Sequence, residues 1–170
     1  MDQHIKEFVL IGGVLVLSLV AYVFMRRSGG AGTQNASRLL TGVLGGFMLL
    51  VGSAKLFEPF TTMFAKQIAL SQLPFPMLSS FAGQAGEIVS GLVLLAFFAF
   101  ERRFVGAFGD KLFYLTNLLI VVTMLVAIYV HLHPDVLAEI LPFQSKPPVL
   151  TIIVMLLALL NLYLHWRKQR

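Results

Sequence analysis

The sequence contains no cysteine among its 170 residues. Disulfide bonds, thiolate metal sites and thiol-exchange chemistry are therefore excluded, because each needs a cysteine sulfur. A membrane disulfide oxidase needs a reactive pair of cysteines, so that class of enzyme is excluded as well. The same absence means that cysteine usage carries no information about the redox state of the compartment.

Charged residues are also scarce. Only 12% of the residues are charged and 58% are hydrophobic, whereas soluble domains contain about a quarter and about a half, respectively. Too few polar side chains remain to cover a surface that faces water, so the surplus apolar surface requires lipid. The composition predicts an integral membrane protein with no soluble domain.

Five apolar runs divide the chain. They cover residues 8–25, 39–57, 78–100, 112–130 and 149–164, and a membrane-spanning helix needs roughly 20 residues. The runs predict an all-α, multi-pass transmembrane bundle of five helices. The first run is predicted to be a retained anchor and not a signal peptide, because its stronger positive charge follows the run.

This reading divides the chain into two parts. Residues 1–37 would form the N-terminal anchor and a cytoplasmic linker, and the polar composition of residues 28–37 predicts a flexible turn. Residues 38–170 would form a four-helix membrane domain.

The basic residues flank the apolar runs and form no patch with interleaved aromatic residues, so the predicted partner is the lipid bilayer and not nucleic acid. Positive charge concentrates on the cytoplasmic side of membrane proteins, which predicts an outer N-terminus and an inner C-terminus. The predicted inner group is Arg26, Arg27, Arg38, Arg102, Arg103, Lys111, Arg167, Lys168 and Arg170. The predicted outer group is Lys6, Lys55, Lys66 and Lys146.

A long connection on the predicted outer side, residues 58–76, is partly apolar. Phe60, Phe64 and Ile68 recur four residues apart. Gln67 falls off that stripe. Such a segment is predicted to lie in the membrane interface or over the mouth of the bundle, and the prolines at its ends stop the neighbouring helices.

Glu87 is the most informative residue, because it lies well inside the third apolar run. A carboxyl group at that depth costs about 2.5–3.5 kcal/mol to insert, so it normally faces protein or water and has a partner. Gln84, Glu87 and Ser90 recur at helical spacing and predict a narrow polar stripe. Two interpretations stay open: a group that handles protons or contacts a ligand, and a structural carboxyl bonded to a neighbouring helix.

Lys55 is the natural partner of Glu87, because it lies near the outer end of the second run. If both helices start level, Glu87 lies several ångströms deeper than Lys55. The long lysine side chain could reach inward to the carboxylate, or it could extend to the lipid headgroups. The sequence leaves both arrangements open.

The second run is rich in glycine, with Gly42, Gly45, Gly46 and Gly52. Small residues let the backbones of membrane helices approach closely. The Gly42 and Gly46 pair has the Gly-x-x-x-Gly spacing, and Gly52 extends the same side. These four residues are therefore predicted to pack against another helix.

Polar residues in the last two runs, among them Asn117 and His131, are predicted to form hydrogen bonds between helices. His131 is also a candidate ligand contact, because histidine titrates near neutral pH. No metal site is predicted, because His131 and His133 lie on different faces of a helix and no second pair completes a tetrahedral set.

Three short segments resemble the DoxX-like family of four-helix membrane proteins. They are GSAKL at 52–56, GQAGE at 83–87 and HLHPD at 131–135. The resemblance covers about residues 38–164, so the first run is an addition to the four-helix pattern. Lys55 and Glu87 correspond to positions typical of that family.

The resemblance implies a bacterial inner-membrane protein linked to redox chemistry, since the family is named after a thiosulfate:quinone oxidoreductase. The leading hypothesis is an accessory or quinone-interacting subunit of a membrane redox system, with no activity of its own. Glu87, helped by Lys55 or His131, would then contact a quinone headgroup. The alternatives are a non-catalytic assembly, chaperone or structural subunit and, third, a small proton-coupled transporter.

Overall fold

The computed structural model of the protein describes residues 32–141 and 146–169, and every regular element in these two ranges is helical. The α-helices are α1 (Gly32–Ala54), α2 (Phe60–Leu70), α3 (Pro76–Phe100), α4 (Ala107–Leu132) and α5 (Val149–Lys168). Two short 3-10 helices, Glu101–Arg103 and Ala138–Ile140, lie in the connections.

Four of these helices are long and apolar enough to cross a membrane. The qualifying stretches are Ala36–Ala54, Pro76–Arg103, Ala107–Leu132 and Val149–Arg167. Even the shortest, with 19 residues, reaches roughly 28 Å at the rise of an α-helix, close to the thickness of a hydrocarbon core. The predicted multi-pass, all-α fold is confirmed for these four helices. The predicted span at residues 8–25 lies outside the described residues.

The four long helices form a ring in which α1 packs against α3 and α5, and α4 packs against the same two helices. The connection between α3 and α4 is short, so consecutive long helices run antiparallel. Their shared core is apolar and contains Leu44, Met48, Leu94, Phe97, Phe113, Ile120, Met124, Val154 and Ala158.

The bundle has two different ends. At the α2 end, α2 and residues 133–141 cover the end of α1, the start of α3, the end of α4 and the start of α5. The opposite end, which we call the basic end, carries residues 101–106 and, among the described residues, six basic residues against two carboxylates. The basic residues are Arg38, Arg102, Arg103, Lys111, Arg167 and Lys168, and the carboxylates are Glu101 and Asp110.

Glycines make the contact between α1 and α3 close. A methyl group added at Gly45 would lie 2.9 Å from Leu94 Cβ, and one at Gly52 would lie 2.9 Å from Glu87 Cβ. One added at Gly42 would lie 2.8 Å from the Phe98 ring. Real side chains do not approach so closely, so these three positions require glycine for the observed packing.

Gly46 corrects the packing prediction. A methyl group there would meet no atom within 4 Å among the described residues. The contact with α3 therefore follows Gly42, Gly45 and Gly52 and does not use the Gly-x-x-x-Gly pair. The physical reason is helix rotation, because Gly46 follows Gly45 by one residue, about 100° around the helix, and so points away from the face that Gly45 presents.

The predicted flexible linker is corrected at residues 32–37, because α1 already begins at Gly32, while residues 28–31 lie outside the described residues. No proline interrupts this stretch, so nothing forbids a helix there. Glycine, serine and asparagine lower helix stability by at most about 1 kcal/mol per residue, and packing of the rest of the helix readily overrides such preferences.

Candidate ligand cavity at the α2 end

The position of Glu87 follows from the close contact between α1 and α3. Gly52 lies against the backbone and side chain of residues 87 and 88, two residues before α1 ends. Glu87 is eleven residues after Pro76, so α3 extends roughly 13 Å beyond the end of α1 at 1.5 Å per residue. The two helices do not start level. Lys55, the first residue after α1, therefore lies at the depth of Glu87.

Lys55 and Glu87 form an ion pair. Lys55 Nζ lies 2.7 Å from Glu87 Oε1 and 2.6 Å from Oε2, and the Lys55 and Glu87 side chains are only 16% and 5% exposed. The ammonium also lies 4.1 Å from the centre of the Phe64 ring, where a cation is attracted to the face of the aromatic ring. The sequence leaves two arrangements open for Lys55, and in the structure its side chain pairs with Glu87.

The three residues of the predicted polar stripe of α3 make different contacts. Gln84 Nε2 donates to the carbonyl of Gly52 at 3.3 Å and so links α3 to α1. Ser90 Oγ donates to the carbonyl of Glu87, within the same helix, at 3.1 Å. Only Glu87 of these three reaches the cavity described next.

A cavity of about 740 Å³ lies between the helices beside this pair. Most of its wall is apolar, with Met48, Phe64 and Val126 among the lining residues. Polar groups are few and lie towards the α2 end, where Lys55, Glu87 and His131 meet it. Ligand sites in proteins have this character, an apolar cavity of about 300–1,000 Å³ with a few placed polar groups.

His131 lies in the last turn of α4 and lines the same cavity. Among the described residues, no hydrogen-bond partner is seen for its ring, while the positive charges of Lys55 and Lys146 both act on it. The structure thus brings together Lys55, Glu87 and His131, three of the predicted candidates, from three different parts of the chain.

Gln67 belongs to this region, and the sequence prediction for it was wrong. The residue is buried, and Nε2 donates to the carbonyl of Ile140 at 2.6 Å, which ties α2 to the 3-10 helix Ala138–Ile140. Phe60, assigned to the apolar stripe, is exposed. The available signal was Met63, because Gln67 follows it by four residues and so shares its face of the helix.

Asn117 lies elsewhere. It is fully buried in the middle of the bundle, where Asn161 Nδ2 donates to Asn117 Oδ1 at 3.1 Å. The Thr41 hydroxyl lies 3.1 Å from Asn161 Oδ1 and 2.8 Å from the carbonyl of Ser37. These side chains join α1, α4 and α5, and none of them lines the cavity. The expectation of hydrogen bonds between helices holds for Asn117, which does not line this cavity.

Metal-binding side chains do not converge in residues 32–141 and 146–169, where no three His, Asp or Glu residues form a group. His133 Nδ1 lies 3.9 Å from Asp135, and His165 Nε2 lies 3.1 Å from Asp110 at the other end of the bundle. Each is a single pair and provides no set of metal ligands. Neither pair lines the cavity, where Lys55, Glu87 and His131 are the groups that can titrate.

Comparison of the chain with protein-family models, with curated proteins and with solved structures finds no match in any of the three. The function must therefore be argued from the site itself.

Proposed function

We propose that this chain binds a quinone-like amphiphile in the cavity beside the Lys55–Glu87 pair, as an accessory subunit of a membrane redox system. The observation that carries the proposal is the position of a buried ion pair on the wall of a mainly apolar cavity of about 740 Å³. An apolar tail would lie among the helices. A polar headgroup would lie near Lys55, Glu87 and His131.

The donor count at Lys55 supports a headgroup with carbonyl oxygens. An ammonium has three N–H donors, and the Glu87 carboxylate accepts two of them at 2.7 and 2.6 Å. The third remains available to a carbonyl oxygen, and His131, which lines the same cavity, offers a ring nitrogen. The redox part of the proposal rests on the resemblance of segments 52–56, 83–87 and 131–135 to the DoxX-like family.

The location proposed with this function is a bacterial inner membrane with the basic end in the cytoplasm. Six basic residues against two carboxylates at that end, and three against four carboxylates at the α2 end, agree with the positive-inside rule. Single cysteines can test it on this cysteine-free chain. An impermeant thiol reagent added outside whole cells should label Leu137→Cys at the α2 end and not Val105→Cys at the basic end, since both positions are exposed. The reverse labelling would overturn this topology.

Quinone content tests the binding proposal directly. The protein would be purified in a mild detergent, and quinone in its lipid extract quantified against protein. We expect close to one quinone per chain in the parent, and a loss of most of it in Glu87→Gln and Lys55→Met. Lys66→Met is the matched control, because Lys66 is an exposed lysine of α2 that does not line the cavity. A parent protein that carries phospholipid and no quinone would contradict the proposal.

A second candidate is a non-catalytic assembly subunit, and one observation favours it. The two Lys55–Glu87 contacts pair both charges without any ligand, and the pair joins the end of α1 to α3. In that case, Glu87→Gln would leave the lipid extract unchanged. Co-purification of a second membrane protein, lost in Lys55→Met but not in Lys66→Met, would then support the assembly role.

A further inference from the structure

A second cavity, of about 510 Å³, lies at the basic end of the bundle, on the far side of the apolar core from Glu87. Its wall is built by α1, α3, α4 and α5 together with residues 101–106. Ser37 and Thr41 form its buried polar floor, and Arg38 and Arg102 lie on its wall. The function proposed above uses none of these groups.

The two arginines of this cavity are loosely held. The Arg38 side chain is half exposed, and its Nε lies 3.9 Å from the Glu101 carboxylate, at the outer limit of an ion pair. Its Nη2 donates to the carbonyl of Phe98 at 3.4 Å, near the limit of a hydrogen bond, and its guanidinium lies 5.5 Å from the centre of the Phe98 ring. Within the described residues, other N–H donors of this guanidinium stay available. Arg102 is exposed, and within the described residues no ion pair or hydrogen bond of its side chain is seen.

The acidic groups of the same cavity are engaged with neighbours. Asp110 Oδ1 lies 3.1 Å from His165 Nε2, and the His165 ring stacks on Phe113 at 4.1 Å. Glu101 faces Arg38. Outside the cavity, Arg103, Lys111 and Arg167 add positive charge at the same end of the bundle. The excess of positive charge at this end favours the binding of an anion.

We propose that the cavity at the basic end binds the phosphate of an anionic phospholipid through Arg38 and Arg102. Guanidinium groups bind phosphate oxygens through short charge-assisted hydrogen bonds, and basic pockets between membrane helices bind anionic headgroups in this way. The cavity lies where the membrane-spanning stretches end, which is the depth of the headgroups. Two of its lining residues, Phe98 and Val105, are apolar and exposed, so a glycerol and acyl chain would continue from the phosphate along the outside of the bundle. A lipid fits this geometry better than a free phosphate ion does.

Native mass spectrometry of the full chain in detergent can measure this binding. The protein would be titrated with phosphatidylglycerol, with phosphatidylcholine and, in a separate arm, with inorganic phosphate. We expect one phosphatidylglycerol bound at least about tenfold more tightly than phosphatidylcholine, and a loss of that preference in Arg38→Gln and Arg102→Gln, as for removal of a charge-assisted hydrogen bond. Arg103→Gln is the matched control, because Arg103 belongs to the same 3-10 helix and lies outside the cavity.

The possible outcomes separate the sources of the anion. A preference for phosphatidylglycerol that survives in both Arg38→Gln and Arg102→Gln would overturn the proposal. An equal loss in Arg103→Gln would also overturn it, since the surface charge alone would then explain the binding. Inorganic phosphate that binds as tightly as the lipid would assign the cavity to a soluble anion instead. Arg38 and Arg102 are exposed, so the variants are expected to keep the parent's thermal stability, which the same samples can verify.

Discussion

The Lys55–Glu87 pair and the Asn117–Asn161 pair both join helices of one bundle, but only the first lines the larger cavity. Neutral amides bond to each other with a small desolvation cost, and the asparagines are completely enclosed. The ion pair takes two charges out of water, and such a pair often contributes less stability than apolar side chains of the same size. If the only task were to hold helices together, amides would suffice. The proposed binding role at the cavity wall would account for the use of charges there.

The largest expected effect comes from breaking the ion pair. Lys55→Met or Glu87→Leu leaves one group without its partner and should lower the free energy of unfolding by about 3–5 kcal/mol, whereas the double variant should recover much of this loss. Unfolding in mixed micelles with increasing denaturing detergent would measure it. Ser90→Ala, which removes a hydrogen bond within α3 alone, serves as the control. A Glu87→Leu protein as stable as the parent would refute the structural part of the pair's role.

The glycine contact that brings Lys55 to Glu87 should give the next largest effect. Gly45→Leu forces α1 and α3 apart and should cost about 1–3 kcal/mol or more, the usual range for overpacking. Gly46→Leu is the matched control, because the side chain added there meets no atom within 4 Å among the described residues. The same detergent unfolding applies. Equal losses in the two variants would contradict the observed rotation of α1.

A smaller effect is expected for the neutral cluster. Asn161→Ala removes the donor to Asn117 Oδ1 and one of the two contacts of the Thr41 hydroxyl, and it should lower the free energy of unfolding by about 1–2 kcal/mol. Thr116→Val is the comparison, because the Thr116 hydroxyl bonds only to the Leu112 carbonyl in its own helix. Neither change should alter the quinone content of the purified protein. An Asn161→Ala protein that lost its quinone would remove the distinction between the two clusters.

The sequence was sufficient for the helices and for one part of the site. Lipid forces long apolar runs, so four spans could be located to within a few residues. Lys55 and Glu87 were candidates for a pair because two intramembrane charges of opposite sign rarely stay apart.

The sequence could not predict how the helices are rotated or how far they are shifted along their axes. In a membrane the lipid-facing and core-facing sides are both apolar, so hydropathy does not show which side of α1 carries Gly46 or which side of α2 carries Gln67. The depth of Glu87 relative to Lys55 depended on the extension of α3 past α1, which no local pattern encodes. For Asn117 the sequence predicted a hydrogen bond between helices but could not name Asn161 as its partner.

The smallest expected effect concerns the cover of the cavity. Gln67 bonds to the Ile140 carbonyl at 2.6 Å and is buried, so Gln67→Ala should lower the free energy of unfolding by only about 1 kcal/mol. The main consequence should be easier access to the cavity for water-soluble reagents, because α2 would lose its hydrogen bond to residues 138–140. Thr123→Cys places a thiol on the cavity wall of a chain with no other cysteine, and a water-soluble thiol reagent should label it faster in Gln67→Ala.

The control is Gln72→Ala, which removes an exposed hydrogen bond to Asp135 at the same end. If Gln72→Ala accelerates labelling as much as Gln67→Ala does, the cover opens as a whole, and the buried glutamine has no special part in closing the cavity. If only Gln67→Ala accelerates it, the neutral bond closes the cavity that the charged pair lines, and the two kinds of polar contact have separate tasks within one site.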